Sequence, residues 1–180
     1  SFRPDPVPDE MIQEMLEAAR LAPSGSNFQP WRFMVIKDPA TKRKIKEVCL
    51  GQKFLEEAPV VIACFADLNA YSRDVTRKRR QEFIDFGVVE TLSGRFADPQ
   101  WRATLDAQPE LPRSQAIRGA IANTYIAIEH LVLMATALGL GTCWVGAGGE
   151  GSRLGPVLGT PDNLVPAAVV PVGFPTKVHA

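Results

Sequence analysis

Residues 21–33, LAPSGSNFQPWRF, concentrate two prolines, a glycine, two serines, an asparagine and a glutamine where a helix gives way to a strand. Turn formation accounts for part of this composition, but a turn does not require so many polar side chains. Hydroxyls and amides in this density can meet the polar edge of a bound ligand, and a glycine lets backbone approach it closely. The glycine-rich stretch GLGTCWVGAGGEG, 139–151, is a second place where backbone amides could face a ligand. It lacks the GxGxxG strand–turn–helix context of a dinucleotide fingerprint, and no GxxxxGK[ST] occurs. Cys143 has no base near it in sequence and is expected to be a small buried hydrophobe. Glu129 and His130 are adjacent on a helical segment, so their side chains diverge by about 100° and make no working pair. The chain has only two histidines, which excludes a multi-histidine metal site, and its three cysteines form no CxxC, which argues against a zinc site. Neither a side-chain nucleophile nor an acid–base pair is assigned, and chemistry in such a chain belongs to a bound cofactor.

With 20 basic and 20 acidic residues in 180, the net charge is zero. There is thus no electrostatic case for nucleic acid or an anionic membrane as a partner. The run Arg77-Lys78-Arg79-Arg80 reads as a solvated helix face. Three widely spaced cysteines fit a reducing, cytoplasmic setting. The length matches one domain over 1–180. Ser1 is not preceded by Met, and the natural N-terminus is expected upstream.

The elements that must position these residues follow from periodicity. Residues 8–21 read as an amphipathic helix with Asp9 and Glu10 at its positive end, ended by Pro23. Residues 31–37 read as a strand, 41–50 as a short helix, and 58–67 as a strand buried on both faces. Residues 72–92 are helical in pattern. Residues 93–114 are expected to form an excursion or lid, with Phe96, Trp101 and Leu105 available to cover a ligand. Residues 115–139 are apolar almost all round, which predicts a buried core or dimer helix. Arg118, Asn123, Glu129 and His130 make a membrane span costly. TCWVGA reads as a short strand, and a one- or two-turn helix follows it. The last strand, 165–175, is expected at an edge or in irregular pairing because of Pro166 and Pro171. The class is α+β.

AARLAPSGSNFQPWRF resembles the signature of the FMN-dependent nitroreductase superfamily: a helix ending in A-P-S, a loop, N-x-Q-P-W and a strand. Three further stretches match in order: FRPDPVPDEMI, the apolar helix running into GLGTCWVGA, and the valine-rich strand ending VGFP. The resemblance implies a homodimeric fold with a central mixed or antiparallel sheet flanked by helices, and FMN at each of two interface sites. NADH or NADPH would supply electrons by a ping-pong route to a nitro compound, quinone or similar small acceptor. It implies Pro23, Ser24, Gly25 and Asn27 at the cofactor from one subunit, with Gln29 supporting the loop or touching the flavin. Trp144, Val145, Gly146 and Ala147 would pass the other side of the ring, with the amides near Gly146 and Ala147 donating to it. Gln52 is the counterpart of an amide or basic side chain on the pyrimidine edge. The family's N-terminal phosphate-clamping arginines would fall before Ser1, which leaves Lys177 as the phosphate cation. Superfamily variants that dehalogenate a substrate or destroy flavin, and a flavin-binding module without turnover, share these motifs.

Overall fold

The computed structural model describes residues 1–88, 98–107 and 109–177. Phe96 and the side chain of Leu105 lie outside the described part.

Helix α1, Asp9–Arg20, follows Pro8, carries Asp9 and Glu10 in its first turn, and turns Ile12, Met15 and Ala19 inward. A 3-10 turn, Gly25–Asn27, leads into β1, Trp31–Ile36. Helix α2, Pro39–Val48, is capped by the Asp38 carboxylate, which accepts from Thr41 N–H at 2.7 Å. The short helix α3, Phe54–Glu57, precedes β2, Val60–Asp67. Then come α4, Arg73–Asp85, α5, Pro99–Asp106, and the long α6, Arg113–Ala137. Two-residue strands β3, Gly141–Thr142, and β4, Val145–Gly146, precede α7, Leu154–Leu158, and β5, Leu164–Gly173.

These strands form an antiparallel sheet in the order β1-β2-β5-β3, with β4 also on β5. Every residue of β2 is buried, because alternate side chains enter two different cores. Val60, Ile62 and Cys64 face the core built with α1 and α6. Val61, Ala63 and Phe65 face the core built with α2 and α7. The unbroken apolar run of β2 is therefore what a strand between two helical layers requires.

Of the two expectations for the last strand, an edge position or irregular pairing, the structure shows the second. β5 is central, paired with β2 on one side and with β3 and β4 on the other. Both of its prolines sit where the ladder is already irregular. Pro166 lies beside the register shift at Cys64/Phe65. Pro171 lies opposite the gap between β3 and β4, whose registers on β5 would otherwise join through Cys143 and Trp144. A proline offers no N–H, so the partner strand is interrupted there. The same interruption corrects the reading of Cys143: its side chain is exposed instead of packed as a core hydrophobe.

Helix α6 is buried along one stripe, Ala116, Ala120, Thr124, Ala127, Ile128, Leu131 and Ala135. Its other side leaves Tyr125 41 %, Ile126 39 % and Leu133 59 % exposed in the single chain. The apolar character predicted all round the helix is thus used for core packing on one face only. By length and composition this helix could cross a membrane, but in the fold its buried stripe packs against α1 and the sheet.

Candidate functional site

The loop after α1 is built to hold an unusual shape. Ser26, Asn27 and Gln29 have φ of 49°, 52° and 47°. Three non-glycine residues in the left-handed region within four positions cost free energy that the surroundings must offset. Two contacts do so. Ser24 Oγ accepts from the Gln29 N–H at 3.0 Å and closes the loop internally. Asn123 Oδ1, on α6, accepts from the Gly25 N–H at 2.9 Å. The result presents Pro23, Gly25, Ser26 and Asn27 outward, with Ser24 and Gln29 half-buried.

Asn123 is itself held from two sides. Its Nδ2 donates to Tyr71 Oη at 2.7 Å and to Gly119 O at 2.9 Å. Tyr71 reaches it because Gly119 has no side chain: a Cβ there would stand 3.0 Å from the phenol ring. Tyr71 is delivered by the end of β2. Buried Asp67 caps the turn Leu68–Tyr71 by accepting from Asn69 N–H at 3.0 Å, and also takes Asn163 Nδ2 at 2.8 Å and Arg32 at 2.8 Å. The Tyr71 ring then packs on Phe28, centroids 4.8 Å apart. Burial pushes the Tyr71 phenol up and the Asn123 bond opposes this, with the net direction upward, so it stays protonated at neutral pH. Asn123 and Tyr71 carry the loop, yet neither was legible as part of it. The available signal was an amide inside an apolar helix.

The 144–147 stretch meets α6 on a different face. The Trp144 ring packs edge-on against Tyr125, centroids 5.3 Å apart. Asn123 and Tyr125 are two residues apart on a helix and project about 200° from each other. Helix α6 therefore separates the 23–29 loop from the 144–147 strand within one chain. Ala147 N–H donates to Ala167 O at 3.5 Å, so the ladder alternation turns the Gly146 N–H away from β5. Gly146 is exposed, and a Cβ built on it would meet nothing within 4 Å. Two expectations change here. The Ala147 amide is engaged with the sheet, and the Val145 side chain is turned into the core with Val169 and Leu154. Gly146 is the member of the pair with an outward donor.

Lys177 lines a cavity of about 400 Å³ with Ser1, Cys143 and Thr176. The chain ends meet there through the Phe2–Pro175 bridge and the Arg3 N–H to Phe174 O bond at 2.7 Å. Lys177 and Cys143 thus share one cavity, while Ser26 and Phe28 line a separate cleft. Gln52 spends its Nε2 on Cys49 O at 3.0 Å, closing the end of α2. Burial raises the thiols of Cys49 and Cys64, so neither is poised as a nucleophile. Among the described residues no cluster of metal-ligating side chains occurs.

A family model described as the nitroreductase family matches residues 1–174. The chain belongs to the nitroreductase family. A Thermus thermophilus relative named NADH dehydrogenase is 36% identical over 176 residues, 98% of this chain and 81% of its own length. A Bacillus subtilis relative named FMN reductase [NAD(P)H] is 27% identical over 181 residues, covering 100% of this chain and 63% of that protein. Among solved structures, a nitroreductase-type protein of Exiguobacterium sibiricum in complex with FMN superposes with a TM-score of 0.76. It is 24% identical and covers 100% of this chain and 84% of that one, a likeness of fold. In this nitroreductase-family chain the antiparallel sheet and long α6 set the 23–29 loop and the 144–147 strand on opposite sides of one helix.

Proposed function

We propose that this chain is an FMN-dependent NAD(P)H oxidoreductase of nitroreductase type, acting as a homodimer with an FMN at each of two sites between subunits. The observation that carries the reading is the separation of the 23–29 loop from the 144–147 strand by α6. Both surfaces suit a flavin, and one chain cannot turn both toward the same ring. A second copy, related by a two-fold axis, can supply the missing half. The exposed apolar side of α6, with Tyr125, Ile126 and Leu133, offers the surface for that association. The names of the Thermus and Bacillus relatives, and the FMN held by the Exiguobacterium protein, support the cofactor and the nicotinamide donor.

The residues present fit the group. Open space before Gly146 admits a flat ring, and its outward N–H is a donor for the charge that reduction places there. The Ser24 hydroxyl, which still has its proton to donate, and the Asn27 and Gln29 side-chain amides supply polar groups for the polar edge and side chain, while Gly25, its N–H held by Asn123, offers only close approach. Lys177, with the Ser1 and Thr176 hydroxyls around the same cavity, suits a phosphate. When bound, FMN supplies the redox chemistry, taking a hydride from the nicotinamide and passing two electrons to an acceptor. Over the full cycle, NAD(P)H and one proton convert a quinone to its hydroquinone, or a nitro group to nitroso and water. The protein orients, desolvates and tunes, and no side-chain acid or base is assigned.

The test is an absorbance spectrum of the purified protein, followed by anaerobic NADH or NADPH. Flavin bands that bleach with either nucleotide support the reading and identify the donor. Flavin that stays oxidised leaves a binding module, and a protein that takes up no FMN overturns the proposal.

A further inference from the structure

Gln29 stands in a conformation that its own neighbour opposes. Its φ is 47°, yet Pro30 follows it, and the residue before a proline is pushed toward extended backbone. Such a residue persists in the left-handed region only where its surroundings hold it there. Its N–H is held by Ser24 Oγ at 3.0 Å. Its carbonyl side is held by Arg32 and Asp67. Arg32 Nη1 donates to Gln29 O at 3.4 Å and to Trp31 O at 2.8 Å. The carbonyl between them, Pro30 O, accepts from the Asp67 N–H at 2.6 Å. Three consecutive carbonyls are thus tied to two residues, and those two are paired through Arg32 Nη2 and Asp67 Oδ2 at 2.8 Å. Buried Asp67 is fixed in turn by the Asn69 N–H at 3.0 Å and Asn163 Nδ2 at 2.8 Å.

The strained backbone delivers a side chain with nothing to bind inside the protein. Gln29 is half-buried, and among the described residues its side-chain amide has no hydrogen-bond partner. A half-buried amide left open on a backbone held from both sides is placed for a ligand. We propose that Arg32 is a positioning residue for the cofactor: anchored on Asp67, its planar fork keeps Gln29 in the strained conformation that presents the amide to the flavin. The inference rests on the reading of the 24–29 loop as a flavin-holding element. Strand β1 has β2 as its one neighbour in the sheet, so pairing holds its start from one side only. Arg32 and Asp67 supply the missing constraint. The job needs a guanidinium, because a carboxylate and two carbonyls must be met in fixed directions at once. A lysine ammonium would keep the charge for Asp67 but not those directions.

A double-mutant cycle tests this with Arg32→Lys, Gln29→Ala and the two combined, read as FMN affinity by flavin fluorescence on the purified protein stripped of flavin. Arg32→Lys keeps a cation for Asp67, so the fold should stand. Each single change is expected to weaken FMN binding about fivefold. The double variant should bind no more weakly than Gln29→Ala alone, since Arg32 acts through Gln29. Full affinity in either single variant, or a double loss equal to the product of the single ones, overturns the proposal. Hydrogen exchange at the Gln29 N–H of the flavin-free protein reads the clamp without the cofactor. It should run about fivefold faster in Arg32→Lys than in wild type, and equal rates overturn the clamp. A wild type that takes up no FMN overturns the flavin reading, and faster exchange in Arg32→Lys would still uphold the hold of Arg32 on Gln29.

Discussion

The backbone N–H of Gly25 donates to Asn123 Oδ1 at 2.9 Å across 98 positions of sequence. This bond fixes the polar loop to the central helix, and the same amide fixes Tyr71 through its Nδ2. One side chain thus sets both the shape of the loop and the aromatic wall beside it.

Asn123→Ala should therefore loosen the loop and not the fold. Its three side-chain hydrogen bonds, to Gly25, Tyr71 and Gly119, are lost, at a net cost of about 1–3 kcal/mol together. FMN retention is expected to fall about tenfold, measured by flavin content after gel filtration, with the far-UV circular dichroism unchanged. Gly119→Ala should produce a similar loss by a different route, since its Cβ would displace the Tyr71 ring. Full flavin occupancy in both variants would remove Asn123 from any positioning role.

Gly146→Ala separates ligand space from folding. The added Cβ meets nothing within 4 Å, so the stability of the apo-protein should stay within about 0.5 kcal/mol of wild type, as for other surface changes. The methyl group would occupy the space assigned to the ring, so FMN affinity should drop. Gly173→Ala is the opposite case, because its Cβ would stand 2.7 Å from Pro59 Cδ and 3.0 Å from Phe2. It should lower stability by about 1–3 kcal/mol.

Leu133→Glu places a charge on the exposed apolar side of α6. Sedimentation velocity should shift the protein from dimer to monomer, with FMN lost at the same protein concentration because each site would lack its second half. A variant that stays dimeric and keeps its flavin would place the interface elsewhere.

Glu56 ties α3 to α2 through Lys46 and Arg43. Hydrogen bonds from those two cations hold its carboxyl below the usual 4.5. A carboxylate depressed in the folded state contributes stability above its unfolded pKa and loses it as pH falls through the folded one. The melting temperature of wild type should exceed that of Glu56→Gln at neutral pH, and the two should converge as pH drops below 4.5. Parallel curves would show that the bridge is not linked to folding.

Local sequence determined the elements and the chemical types in the loop. Pro8, Asp9 and Glu10 start α1, Pro23 stops it, and the unbroken run 60–67 requires burial on both faces. Motif order alone pointed to the family and to Ser24, Gly25, Asn27 and Gln29. The tertiary structure decided what depends on distant partners. It placed β5 at the centre because its prolines meet a bulge and a gap in the neighbouring strands; the prolines announced an edge or irregular pairing, and only the partner strands decided between them. It exposed Cys143, engaged the Ala147 amide, and turned Val145 inward through the same pairing. It also recruited Asn123 and Tyr71 and split the basic run into outward and cleft-facing halves. Periodicity fixes which residues share a face, but which neighbour covers that face is set by contacts far apart in the chain.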